Sequence, residues 1–444
     1  MKKCFCIIMF VIPVFFFSCI PFPFNNYRQP PGMSGYAIPR AEGDPDRILK
    51  ILEEEKYNLD AKKPGDPLLL LLYKYSPDAY YIIRISEDCL QNEIKIGDYP
   101  YAMASAYGDS GKSITTLSDG TKIEKIRRGK GYKRWIDYDK PFDEQVKSLA
   151  TAVHEENHGL TSRNALYILS KKVRSQDEIM VSSPDGRTRY TINFDSYYLS
   201  RGHIAYALRR SATYALEPVF PAARIEEIIP VENRTFRYKT YIDHKTYQST
   251  QVSGISGLLD EYNAYYWSNR VIYDLYEYYK NEKPQTAATC LQWTSQVFGE
   301  YFAWAEFRYW ILCYIRYARI KEKNVYHSLM EDMALRKAFT AVDDNFTDLL
   351  GSIFIRLGKE LPGHLKKYNI EVTLRESTLI GLKGETSRTP LYRIGNASQV
   401  MFLDYFLPLQ EELNKKEFID IANTFRTTPR SVLPSFEDLK KMLN

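Results

Sequence analysis

The chain has 444 residues, with 60 Lys and Arg against 55 Asp and Glu, a formal net charge of +5. The charges are interspersed rather than blocked, so composition lends no support to nucleic-acid binding. Length admits two or three domains, and 36 Tyr and 22 Phe make the chain unusually aromatic.

The N-terminus reads as an export signal. Lys2 and Lys3 precede an apolar run from Cys4 to Phe17, too short to serve as a stable membrane anchor. Ser18-Cys19 then resembles a relaxed bacterial lipobox, which marks residues 1–19 as a lipoprotein-type signal peptide and Cys19 as the lipidated residue kept after cleavage. Residues 20–45, with Pro21, Pro23, Pro30 and Pro31, have the composition of a tether. The expected location is therefore outside the cytoplasm, lipid-anchored to the bacterial cell envelope, with membrane contact through the lipid alone. Three cysteines follow Cys19, namely Cys89, Cys290 and Cys313, an odd number at wide spacing that argues against a disulfide framework.

A helical pattern covers Asp44 to Lys56. Residues Pro67 to Asp143 turn strand-like: Leu68–Tyr73 and Tyr80–Ile85 are apolar runs broken by Ser76-Pro77-Asp78, and Gly97-Asp98, Asp109-Ser110-Gly111 and Asp119-Gly120 mark turns. Ala106 to Ser113 loosely fits a phosphate loop, but the residues after it read as strand and turn. The helix N-terminus that must cradle the phosphate is missing, so nucleotide is excluded as a partner.

Phe142, Val146, Leu149, Val153 and Leu160 form a helical apolar stripe bordered by Ala150, His154 and His158. Within it lies His154-Glu155-Glu156-Asn157-His158, in a chain with 6 histidines. Two imidazoles one turn apart on one helix face can share a metal ion, and the adjacent carboxylate of Glu155 can take a proton from water. Two histidines leave a catalytic site one protein ligand short. Position 164, where a third histidine would follow at short range, is Asn164. The best distant candidate is Glu261, on a helix running from about Ser256 to Lys280; Ala264 shares its face and permits close approach. Asp260 is the rival ligand.

On the His-Glu-x-x-His pentapeptide and the Glu261-x-x-Ala264 element, the chain resembles the zincin metallopeptidases, in their glutamate-ligand (gluzincin-like) branch. The resemblance implies Zn²⁺ held by His154, His158 and Glu261, with Glu155 as general base in hydrolysis of a peptide or protein substrate. It also implies an α+β fold in which a small mixed sheet precedes the histidine helix, its edge strand lying in Tyr99–Tyr107 or Ser113–Ile126. Tyr265 stands where an Asp often supports the first histidine, so His154 needs another brace: a backbone carbonyl, Asp260 or Asn263.

Between the histidines and Glu261, Ser183-Pro184-Asp185-Gly186 signals a hairpin between strands at Glu178–Val181 and Arg189–Phe194. Arg201–Tyr214 reads as helix, with His203 a candidate oxyanion stabiliser, and Glu227–Tyr241 as mixed and extended. Asn281-Glu282-Lys283-Pro284 is a natural break that divides a zincin-like domain (46–282) from a helical C-terminal domain (283–444). Helices are expected at Ala287–Lys321, Met330–Asp344, Phe346–Lys359 up to Pro362, Val400–Glu412 and Glu417–Phe425. The spacing of Trp293, Trp304, Trp310, Tyr314 and Tyr317 assigns them to a core. The alternative function is a non-enzymatic, lipid-anchored surface protein that binds an envelope component or partner through this aromatic-rich region.

Overall fold

The computed structural model describes residues 64–91, 94–96, 99–101, 110–116, 122–128, 131–159, 180–182, 189–191, 198–200, 203–205, 220–244, 250–251, 254–380 and 386–443. The export signal, Cys19, the tether and the helical pattern at Asp44–Lys56 lie outside these residues.

The first departure from the strand expectation comes at once. Leu68–Tyr73 and Tyr80–Ile85 belong to helices α1 (Pro67–Tyr75) and α2 (Pro77–Gln91). The Asp66 carboxylate accepts hydrogen bonds from the Leu68 and Leu69 amides at 2.8 and 3.4 Å, and Pro67 occupies the first turn. Leu68, Leu69, Leu71 and Leu72 are all buried, as are Ala79 through Ile83. A helix wrapped by core on most sides loses its amphipathic period, and a short apolar run then imitates a buried strand.

Antiparallel hairpins follow. Strands β1 (Ile94–Ile96) and β2 (Tyr99–Tyr101) pair, as do β3 (Ser110–Thr116) and β4 (Lys122–Arg128), while the turns expected at Gly97-Asp98 and Asp119-Gly120 lie outside the described residues. Ser110-Gly111, expected in a turn, instead opens β3, so Gly111-Lys112-Ser113 is strand and does not build a phosphate cradle. Each pair stands as its own two-stranded sheet. Helix α3 (Phe142–Gly159) comes next. Strands β5 (Met180–Ser182) and β6 (Arg189–Thr191) form the hairpin expected around Pro184-Asp185-Gly186. Strands β7 (Tyr198–Ser200) and β8 (His203–Ala205) replace the start of the helix expected at Arg201. Ser200 pairs with His203, and Arg201 and Gly202 between them lie outside the described residues. The segment expected as extended carries 3₁₀ turns at Ala222–Ile228 and Val231–Asn233 and a single-turn helix α4 (Tyr238–Tyr241).

From residue 255 onward helices dominate: α5 (Ile255–Asp274), α6 (Tyr276–Glu282), α7 (Ala287–Glu300), α8 (Ala303–Lys321), α9 (Lys323–Glu331) and α10 (Met333–Ile355). The chain passes through Asn345 without a break, joining two expected helices into one, and a π-turn (Arg356–Glu360) leads to α11 (Leu361–Leu365). Pro362 sits in the first turn of α11, where its missing N–H is tolerated, instead of stopping the chain. The unforeseen element is an antiparallel sheet of β9 (Val372–Ile380), β10 (Thr386–Ile394) and β11 (Ala397–Val400), with β10 central. Gly395, at φ 58°, turns β10 into β11, where Ile394 pairs with Ala397. Helices α12 (Leu403–Leu413), α13 (Lys416–Phe425) and α14 (Phe436–Leu443) complete the α+β architecture. Among the described residues no helix is long and apolar enough to cross a membrane.

One hydrophobic core runs from Leu68 to Leu439 and is continuous across Lys283. Helix α5 lies at its centre, packed on α3, α7, α8 and α10, with 16 of its 20 residues buried. Trp293, Trp304, Trp310, Tyr314 and Tyr317 are core residues, as their spacing predicts. So are Tyr262, Tyr265, Tyr266, Tyr276, Tyr278 and Tyr279, while Tyr273 is half-buried.

Within this core Asp343 is fully buried and accepts hydrogen bonds from Arg308 Nε at 2.7 Å, Tyr262 Oη at 3.1 Å and Arg426. Arg426 also reaches Asp344 at 2.6 Å, and Arg430 continues outward to Asp344 and Asp348. Removing one partner of a buried charge pair strands the other, whereas exposed pairs contribute little. Arg426→Ala is therefore expected to lower unfolding free energy by roughly 3–5 kcal/mol in denaturant titration. Arg430→Ala, whose partner Asp348 is well exposed, should lose about 1 kcal/mol or less.

Candidate metal centre

Helix α3 delivers its histidines to the interior because the face beside them is apolar. Val146, Leu149, Ala152 and Val153 are 0% exposed, while Phe142, at the head of the expected stripe, is 40% exposed. The stripe's last member, Leu160, lies outside the described residues. His154 and His158 follow Ala150 along the edge of this face and are buried. Helix α5 starts after Gly254, whose φ of 53° suits glycine, and packs directly on α3. Ala264 is fully buried and keeps the bulk of that face small.

The packing brings the three expected ligands together. His154 Nε2 and His158 Nε2 lie 3.3 Å apart, and Glu261 Oε2 is 3.7 Å from the first and 3.5 Å from the second. Zinc bonded at about 2.0–2.1 Å in a tetrahedron sets its donors about 3.3–3.4 Å apart. The centre of the observed triangle lies about 2.0 Å from each corner, within that bonding range. The donor set fits a cation for a second reason. Two imidazole nitrogens and a carboxylate oxygen, all buried, face one another, and with each ring protonated on Nδ1 they form a donor set able to hold a cation. Among the described residues this is the one group of three or more side chains able to hold a metal ion. Burial opposes the charge on Glu261, but the two histidines overcome it and hold the carboxyl far below its ordinary range.

Asp260, the rival ligand, has a different task. Its Oδ2 lies 2.9 Å from His158 Nδ1. A proton on Nδ1 donated to that carboxylate leaves Nε2 as the lone-pair donor facing Glu261 and His154. The brace anticipated for His154 thus falls on His158, because Asp260 and Glu261 are adjacent on α5 and point to the two nitrogens of one ring. Asn263, another candidate brace, is buried and makes no side-chain hydrogen bond among the described residues. His154 instead meets the ring of Tyr265 edge-on, with centroids 4.6 Å apart and planes at 78°.

Behind Tyr265 lies a buried cluster that no local pattern in the chain announces. Arg237 donates to Tyr265 Oη at 3.2 Å, Glu306 at 2.7 Å, Glu300 at 2.9 Å and the Gly299 carbonyl at 3.1 Å. Burial raises both Glu300 and Glu306 despite the guanidinium between them.

Glu155 is half-buried beside His154, as a helix position next to the first ligand dictates. His203 falls in β8, and its side chain is outside the described set. Cys290 and Cys313 are buried free thiols, pushed up by burial to about 11 and about 12, and are core residues rather than nucleophiles or ligands. No protein-family model matches the chain, and neither the curated proteins nor the solved structures contain a match.

Two measurements test the site. Adding Zn²⁺ to metal-stripped protein should raise the melting temperature, by the equivalent of about 4 kcal/mol at a thousandfold excess over Kd, and His158→Ala should abolish the rise. Asp260→Asn should weaken zinc binding about 10- to 100-fold in a chelator competition without removing it, since Asp260 orients a ligand.

Proposed function

We propose that this chain is a zinc-dependent peptidase of gluzincin-like organisation, and the observation that carries the reading is the buried triangle of His154, His158 and Glu261 with Glu155 alongside. A Zn²⁺ ion held there would supply Lewis-acid polarisation of a peptide carbonyl and make water acidic enough to react near neutral pH. Glu155 is the group placed to accept the proton from attacking water and return it to the departing amine. His158 keeps its donor nitrogen turned inward through Asp260, and Glu261 remains ionised in the presence of the two imidazoles. The α3–α5 pair supports the zincin-like core; among the described residues the strands before α3 pair only as hairpins, so a mixed sheet is not part of that support. The lipobox at Ser18-Cys19 supports an enzyme anchored by lipid on the exported side of the envelope.

The test is cleavage of a complex peptide library by purified protein, read by mass spectrometry. Wild-type protein should generate new termini, and chelation should stop it. Glu155→Gln should lower the rate about 10²- to 10⁴-fold while zinc content stays at one per chain. Cleavage undiminished in Glu155→Gln, or a purified protein with no stoichiometric metal, overturns the reading.

A further inference from the structure

His158 has a carboxylate to set its ring; His154 has an aromatic wall. An imidazole turns easily about its Cβ–Cγ bond, and a turned ring would carry Nε2 out of the donor triangle. We propose that Tyr265, fixed in place by Arg237, is the positioning residue for His154, an inference that rests on the triangle being a metal site.

Tyr265 follows Glu261 by four residues, so both stand on the same face of α5, one turn apart. The ligand carboxylate and the tyrosine ring thus meet the histidine helix together, and the near-perpendicular ring contact occupies one side of His154. That wall cannot yield easily. The Tyr265 ring stacks on Phe307 at 5.0 Å and 30°, and the Arg237 guanidinium lies 4.7 Å from its centroid. Its hydroxyl is held at both sides, by Arg237 Nε at 3.2 Å and by Tyr241 Oη at 3.0 Å. Arg237 is anchored in turn by Glu306 from α8 and Glu300 at the end of α7. Orientation of His154 is therefore set by packing, through a chain of contacts that begins on the C-terminal helices. A carboxylate would also make the imidazole more basic; an aromatic ring does not. The contribution is one of geometry, and the ring matters more than the hydroxyl.

Zinc affinity by chelator competition separates these contributions without reference to activity. Tyr265→Leu should bind Zn²⁺ about 10- to 100-fold more weakly, the usual effect of losing a support behind a ligand. Tyr265→Phe, which keeps the ring, should recover most of the loss. In zinc-free protein the His154 ring resonances should be single in wild type and Tyr265→Phe, and broadened or doubled in Tyr265→Leu. Trp293→Phe serves as the destabilised control: it removes the bond from Nε1 to the Ile272 carbonyl at the far end of α5 and should leave zinc affinity unchanged. If Tyr265→Leu does not fold, Tyr265→Met carries the same expectation. Folded Tyr265→Leu or Tyr265→Met binding zinc as tightly as wild type overturns this inference alone. Wild-type protein that binds no zinc overturns the metal reading and this inference with it.

Discussion

Three potential ligand atoms face one another across 3.3 to 3.7 Å inside a buried helix interface, and the packing around them keeps them there. Left to themselves, two imidazole lone pairs and a carboxylate would separate or take up a proton. They stay because α3 and α5 are pressed together by apolar faces that lead without a gap into a core extending to the C-terminal helices. The hydrophobic effect is non-directional, yet here its result is directional: burying Val146, Leu149 and Val153 on one helix and Leu258, Leu259 and Ala264 on the other leaves the histidines and Glu261 no place but opposite each other.

Charge is what makes that packing specific. Two clusters of arginine and carboxylate reach α5, each through a tyrosine close to Glu261. Tyr262 binds Asp343, which is shared by Arg308 and Arg426; Tyr265 binds Arg237, which is shared by Glu300 and Glu306. A slide or rotation of α5 would strand several buried charges at once, a penalty far larger than the loss of a few methyl contacts. The same design explains why the aromatic residues are so numerous. They fill the space between helices while presenting hydroxyls and π-faces to the buried ions, so an abundance of Tyr reflects a polar core.

Much of the candidate metal centre was legible in the chain because helical spacing is a local property. Residues four apart on one helix must share a face, so His154 and His158 could be paired without knowing their neighbours. Glu261 was the best candidate because Ala264 shares its face and permits close approach, with Asp260 beside it as the rival. Only the rotation of α5 relative to α3 separates them: one carboxylate points to Nε2 of His158 and the other to Nδ1. Tyr265 stands where a carboxylate brace was expected, and its ring instead meets His154 edge-on. Arg237, Glu300 and Glu306 carried no signal, because their meeting joins segments 60 to 70 residues apart.

The fold divides along the same line. Helices with one apolar face, such as α3, announce themselves through their period. The apolar runs of α1 and α2 did not, since a segment buried on most sides has no period left to read, and the Asp66 cap and the prolines decided for helix. The β9–β10–β11 sheet was missed in a region otherwise dense with helices, because strands are stabilised by partners and β10 has its partners on either side in the folded chain. The sequence alone determined which side chains carry chemistry and which helix face presents them. Tertiary structure decided which carboxylate meets which nitrogen and what holds each ring, because those depend on the rotation of one helix against another, and that rotation is set by packing and buried charge summed over the whole core.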